Sequence, residues 1–224
     1  MGRSSFDPTF GELPDRLPIF PLPGVLLLPG GRLPLNIFEP RYLAMTQRAL
    51  AGPRLIGMIQ PRDDSSFETG LRPVYPVGCA GRLVAFQETD DGRYLITLAG
   101  LIRFRVAREL ARDEEGFRWM EPDFASFRAD LVPDSGGFDR AALLGALKVY
   151  FQRHGLEADW QAVEKADDER LVTSLAMLCP FDPSEKQVLL EAADLSRRAE
   201  AMTAILQMAA HQPAAEGDGP ARPN

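Results

Sequence analysis

Residues 77–106 read VGCAGRLVAFQETDDGRYLITLAGLIRFRV, and this stretch decides the fold class. Residues 77–89 and 93–98 are rich in apolar and β-branched side chains, and the sequence DDG at 90–92 separates them. An Asp-Gly pair between two such runs is typical of a hairpin, because the turn needs residues that tolerate positive φ. The stretch therefore predicts two antiparallel strands.

Gly100 predicts a break in the second strand. The strand pattern resumes beyond it. Residues 101–110 alternate strictly, with apolar side chains such as Phe104 on one face and Arg103 and Arg105 on the other. A period of two is the pattern of a strand with one buried face. A last strand is expected around residues 117–120.

Short strands are also predicted before the hairpin, at residues 17–22 (LPIFPL), 25–28 (VLLL) and 33–38 (LPLNIF). Proline within such runs indicates strand edges or bulges, because proline has no backbone N–H to donate. A helix is predicted at 41–51, where apolar residues recur at helical spacing, and a further strand at 54–60.

After residue 120 the apolar period changes from two to about 3.6. Asp139 can cap a helix that continues to His154, and the sequence DPSE at 182–185 is a helix N-terminus signature. Further helices are expected around residues 160–163, from 167 and at 194–208. Strands followed by helices indicate an α+β fold or two domains.

The predicted organisation has five parts. They are a flexible N-terminal arm (1–14), a β domain (15–129), a polar linker (130–137), an all-helical bundle domain (138–210) and a disordered tail (211–224).

The composition excludes several classes of protein. The 224 residues carry a net charge of −7, and all of it lies beyond residue 129, where 16 acidic residues face 9 basic ones. Such a balance argues against a general nucleic-acid binder. Two cysteines and two histidines argue against a disulfide scaffold and a histidine-built metal site. We therefore expect no metal.

The lysines argue against nucleotide chemistry. A phosphate-binding loop needs glycine directly before lysine, whereas Lys148, Lys165 and Lys186 follow leucine or glutamate. We expect no catalytic residue and no cofactor. No secretory signal or membrane-spanning run is visible in the sequence, so we expect a cytoplasmic protein that does not bind membranes.

Four arginines form a candidate nucleic-acid surface. Arg103 and Arg105 share a predicted strand face, and Arg82 and Arg93 come from neighbouring segments. Clustered arginines can contact phosphates. The alternative is a solvated sheet face whose arginines pair with the nearby acidic residues Glu88, Asp90 and Glu109.

Three segments, taken in order, resemble the N-terminal domain family of Lon protease. They are 17–42 (LPIFPLPGVLLLPGGRLPLNIFEPRY), 77–106, and 175–206 (LAMLCPFDPSEKQVLLEAADLSRRAEAMTAIL). The resemblance implies a PUA-like, mostly antiparallel β-barrel domain followed by an all-helical bundle. In full-length Lon this region recruits protein substrates and precedes an ATPase module and a Ser–Lys protease domain. A stand-alone member without those domains is expected here.

The resemblance implies a non-catalytic module that binds an unfolded polypeptide or a partner protein. Phe38, Tyr42 and Met45 are the candidate peptide-binding residues, because aromatic and methionine side chains suit a surface that accepts many sequences. The alternative is that all three belong to the barrel core. The alternative function is an RNA-binding PUA-like protein that uses the arginine face. The sequence does not indicate an oligomeric state.

Overall fold

The computed structural model describes residues 4–62, 73–132 and 136–211, and the statements below refer to them. Parts of the predicted arm, linker and tail lie outside the described residues: 1–3, 133–135 and 212–224.

Six strands form one sheet: β1 (Leu17–Pro21), β2 (Arg32–Ile37), β3 (Leu55–Ile59), β4 (Val77–Glu88), β5 (Tyr94–Glu109) and β6 (Arg118–Asp123). The strand order is β2-β5-β4-β3-β1-β6, and β6 also pairs with β5. Five strands therefore close into a ring, and β2 is attached outside it to β5. Only β1 and β3 are parallel among these pairings. The predicted mostly antiparallel sheet is confirmed.

The helices are α1 (Pro40–Leu50), α2 (Arg140–His154), α3 (Trp160–Lys165), α4 (Asp168–Leu178), α5 (Pro183–Glu191) and α6 (Leu195–His211). Asp139 caps α2 by accepting a hydrogen bond from the Ala142 N–H, and Asp182 and Glu185 form a capping box on α5. Both caps agree with the sequence. The α+β class is confirmed.

The strand predicted at residues 25–28 is wrong. This segment forms no ladder, although Leu26, Leu27 and Leu28 are buried. The chain crosses the sheet here instead, because this segment connects β1 to β2, and β3, β4 and β5 lie between those two strands. A Cβ at Gly81 of β4 would lie 2.6 Å from the Leu27 side chain.

The break predicted at Gly100 is also wrong, because β5 continues through it. A Cβ at Gly100 would lie 1.9 Å from the Leu28 carbonyl oxygen. Glycine at this position lets the crossing segment approach the strand, and it does not end the strand.

The helical part packs against the barrel mainly through α5. The Lys186 Nζ donates to the Gly24 carbonyl at 2.7 Å, and the Gln187 side chain donates to the Val77 carbonyl at 3.1 Å. The buried apolar residues form one cluster that includes Phe104 of the barrel and Leu147 of α2. The division of the chain at residues 130–137 stays a prediction.

Candidate functional site

A groove of about 450 Å³ lies where β1 and β2 end side by side. We call it the seam groove. Residues 20–23 form one wall, residues 35–39 form the other, and Arg41, Tyr42, Pro61, Arg112 and Arg118 complete the lining.

The strand pairing explains why this groove is open. β1 pairs with β6 only through Leu17, Pro18 and Ile19, so the last part of that edge has no strand beside it. β2 has β5 as its one neighbour among the described strands. Pro21 and Pro34 lie in these two strands, as the edge interpretation of the prolines predicts.

The three predicted peptide-binding residues have different positions. Phe38 follows β2 and is 61% exposed. Tyr42 is 8% exposed, and its ring lies 4.2 Å from the Phe20 ring between centroids. Met45 is fully buried in the core and does not line the groove. Phe38 and Tyr42 therefore line one groove, whereas Met45 occupies the position that the core alternative predicts.

Tyr42 is held in place by apolar and cationic contacts. Burial raises the pKa of its phenol. The Arg41 guanidinium lies 4.6 Å from the centre of its ring. The hydroxyl therefore stays protonated at neutral pH, and the residue offers an uncharged aromatic wall to the groove.

The groove is lined by three arginines and one glutamate. Arg41 pairs with Glu39 at 2.7 Å, and Arg118 pairs with Glu109 at 2.8 Å. Arg112 is exposed and has no ion-pair partner among the residues that the structure describes. The groove is thus cationic on a chain whose net charge is −7.

Arg103 does not lie on a solvated face. Its side chain is 4% exposed, and its guanidinium pairs with Asp130 at 2.7 Å. It also donates to the Leu190 carbonyl at 3.0 Å and lies 4.7 Å from the Phe127 ring centre. The alternative prediction, that Arg103 pairs with nearby acidic residues of the sheet such as Glu109, is therefore wrong. The chain beyond β6 folds back over this face and supplies the partners instead.

The other three arginines are spread over the molecule. Arg82 pairs with Asp7 at 2.7 Å, and Arg93 pairs with Asp91 at 2.9 Å at the hairpin turn. Arg105 is exposed near the far end of β5. The structure does not bring the four predicted arginines together on one surface.

Comparison with known proteins places the chain in a family. The model of the ATP-dependent protease La (LON) substrate-binding domain matches residues 16–208. The chain belongs to this family.

Relatives of this Lon substrate-binding domain include a Lon protease from Cytophaga hutchinsonii and Lon protease 2 from Myxococcus xanthus. Each is 26% identical, over 88% and 87% of this chain respectively. The chain spans about a quarter of the length of either relative, 24% in both cases.

Solved structures similar to this chain include two from Lon N-terminal domains. A Lon N-terminal domain protein from Xanthomonas campestris superposes with a TM-score of 0.57 at 26% identity, covering 88% of this chain and 99% of that one. The N-terminal domain of a Mycobacterium avium complex Lon protease has a TM-score of 0.60 at 16% identity, covering 86% and 98%. The second likeness shows the fold alone.

This chain has a second groove, which the sequence analysis does not predict. It is a cavity of about 650 Å³ lined by residues of α2, α3, α4 and the loop before α3. We call it the helical groove. Leu156 and Leu178 line it and are 37% and 81% exposed. Leu178 follows Leu171 and Leu175 at helical spacing, which is the pattern of a buried helix face and gives no sign of its exposure.

The two thiols of the Lon substrate-binding domain are buried. Burial raises the pKa of Cys79, and it raises the pKa of Cys179 to about 11. Neither thiol is a ready nucleophile at neutral pH. Within residues 4–62, 73–132 and 136–211, no group of three or more His, Cys, Asp or Glu side chains is placed to hold a metal ion. No helix in these ranges has the length and apolarity that crossing a membrane requires.

Arg112 and Asn36 are among the residues of the seam groove that the sequence analysis does not predict. Arg112 lies in a loop with acidic neighbours, and a charged residue in such a loop is predicted only to be exposed to solvent. Asn36 lies two residues after Pro34 in a predicted edge strand. Because a proline in a sheet marks the unpaired side of its strand, this spacing indicates an unpaired backbone at Asn36.

Proposed function

We propose that this Lon substrate-binding domain is a non-catalytic module that binds unfolded polypeptides through the seam groove. The exposure of Phe38 at the rim of that groove carries the proposal. A large aromatic side chain that is 61% exposed beside a buried aromatic wall offers apolar area at a small entropy loss on binding.

The shape of the groove supports a polypeptide as ligand. Its walls are two strand ends and the start of α1, and its volume of about 450 Å³ accommodates a few side chains. Unfolded chains present extended backbone and exposed apolar residues, which such walls can contact. The family match to a substrate-binding domain supports the non-catalytic assignment, as do the raised thiol pKa values.

Binding of a permanently unfolded protein tests the proposal. The probe is fluorescein-labelled lactalbumin, reduced and carboxamidomethylated, and the readout is fluorescence anisotropy. Phe38→Ala should weaken binding about tenfold, because truncating an aromatic anchor removes roughly 1.4 kcal/mol. The matched control is Met208→Ala in α6, whose side chain is 65% exposed and lies outside the groove. Equal affinities for the two variants would contradict the assignment of the groove.

Salt dependence separates this function from RNA binding. Apolar contacts should change the affinity less than about threefold between 50 and 200 mM salt, whereas several phosphate contacts would lower it by tenfold or more. Binding of a single-stranded RNA that is tighter than binding of the unfolded protein, and steeply dependent on salt, would reverse the assignment.

A further inference from the structure

The outer edge of β2 carries backbone groups that point away from β5. The Gly100 N–H donates to the Gly31 carbonyl, so the backbone of Gly31 faces β5. The direction of these groups alternates along a strand, and the register pairs residues 32–37 with 94–99 in order. Residues that face β5 are therefore Leu33, Leu35 and Ile37. Residues that face outward are Arg32, Pro34 and Asn36.

Pro34 independently supports this orientation. A proline inside a sheet places its missing N–H on the unpaired side of the strand. Outside the β2–β5 ladder, no hydrogen bond among the described residues involves Asn36, whose side chain is exposed. The Asn36 N–H and carbonyl are thus available to another chain.

This edge forms a wall of the seam groove. Leu35, Asn36 and Phe38 all line the cavity. The opposite wall includes Pro21 and Pro23, which have no N–H to donate. An unpaired strand edge is a template for pairing with an extended segment, so β2 is the wall that can accept one.

The charge of the groove selects among extended segments. Arg112 lines it without an ion-pair partner in the described part of the chain, while Arg41 and Arg118 are already paired. An incoming carboxylate can pair with Arg112 without breaking an existing ion pair. A cationic segment would lack a free partner, since Glu39 is occupied by Arg41.

We infer that the seam groove takes an extended polypeptide segment as an added strand on the outer edge of β2, with an apolar side chain against Phe38 and an acidic side chain at Arg112. This inference rests on the proposed polypeptide-binding function and adds its geometry and its sequence preference. A segment of alternating apolar and acidic residues satisfies both contacts.

The test uses a fluorescein-labelled decapeptide that alternates valine and glutamate, and two copies of it. One copy is N-methylated at every valine, the other at every glutamate. In an added strand, only every second residue directs its N–H at β2. One copy should therefore lose at least tenfold in affinity, while the other stays within about threefold of the parent peptide.

Two pairs of variants test the protein side of the contact. Asn36→Pro removes the outward N–H and should weaken the parent peptide about tenfold, while Asn36→Thr keeps the N–H and should leave its affinity within about threefold. Arg112→Gln should weaken the valine–glutamate peptide several-fold, and Arg108→Gln, at an exposed pair with Glu121, should not. Thermal unfolding of each variant confirms that it is folded.

The outcomes distinguish this inference from the proposed function. If both methylated copies bind as tightly as the parent while unfolded lactalbumin still binds through Phe38, strand addition is wrong and polypeptide binding stands. If the wild-type chain binds neither the decapeptide nor unfolded lactalbumin, both are wrong. Loss with one methylated copy alone, together with loss in Asn36→Pro, supports strand addition.

Discussion

Arg103 shows how one side chain can join distant parts of this chain. It lies in β5, pairs with Asp130 in the 3-10 helix Ala125–Leu131, and donates to carbonyls at the end of α5. Its alternation with Phe104 predicted a solvent-facing residue. The sequence could not show otherwise, because the segment that covers this face is distant along the chain: Asp130 comes 27 residues after Arg103.

Removing the partner of this buried pair should be strongly destabilising. Asp130→Ala leaves the guanidinium of Arg103, whose side chain is 4% exposed, without its counter-charge. We expect the free energy of unfolding to fall by about 3–5 kcal/mol, measured by urea denaturation. The control is Arg108→Ala, which breaks a pair that is 71% and 44% exposed and should change stability by about 0–1 kcal/mol. Similar losses in both variants would show that the Arg103 pair is no more than a surface contact.

At the scale of elements, the sequence predicts the structure correctly where a short segment determines it. The caps Asp139 and Asp182 begin helices, because a side chain bonds to a backbone N–H within three residues. The structures of residues 25–28 and of Gly100 cannot be predicted separately, because each depends on the other. An apolar run considered alone predicts a strand, and a lone glycine considered alone predicts a break. In the structure, residues 25–28 instead cross the sheet at the point where Gly100 leaves room for them.

Substitution of two glycines, one at the crossing and one in α2, should have opposite effects on stability. Gly100→Ala places a Cβ 1.9 Å from the Leu28 carbonyl oxygen, so we expect a loss of about 3 kcal/mol or more in the free energy of unfolding. Gly145→Ala lies in α2 with no atom within 4 Å of the added Cβ, and should gain about 1 kcal/mol. Chemical denaturation of both variants measures these values. If Gly100→Ala is as stable as wild type, the close approach of the crossing segment is wrong.

At the scale of the whole molecule, the order of elements predicted the α+β class, and closure of the ring follows from pairings between distant strands. The seam groove could be predicted only in part. Pro21 and Pro34 indicate strand edges in the sequence, but the fact that the ends of β1 and β2 line one groove depends on how these strands attach to different neighbours. Arg112 reaches the groove by the same long-range geometry.

The polar contacts of α5 predict how a cut chain behaves. A site-specific protease sequence inserted after Ser135 should be cleaved, because the predicted linker is polar and rich in Gly and Pro. The two fragments should then co-elute in size-exclusion chromatography, since Lys186, Gln187 and Arg103 bond across them. Elution of two folded fragments at separate volumes would instead support two independent domains.

Hydrogen–deuterium exchange with mass spectrometry tests most directly whether the seam groove is the polypeptide-binding site. The chain is measured alone and with saturating unfolded, carboxamidomethylated lactalbumin. The account predicts slower exchange in segments that contain residues 35–39, because an added strand protects the outward N–H of Asn36 and the ligand covers Phe38. Residues 156–178 of the helical groove should exchange unchanged. Protection confined to the helical groove, with residues 35–39 unaffected, would contradict the account.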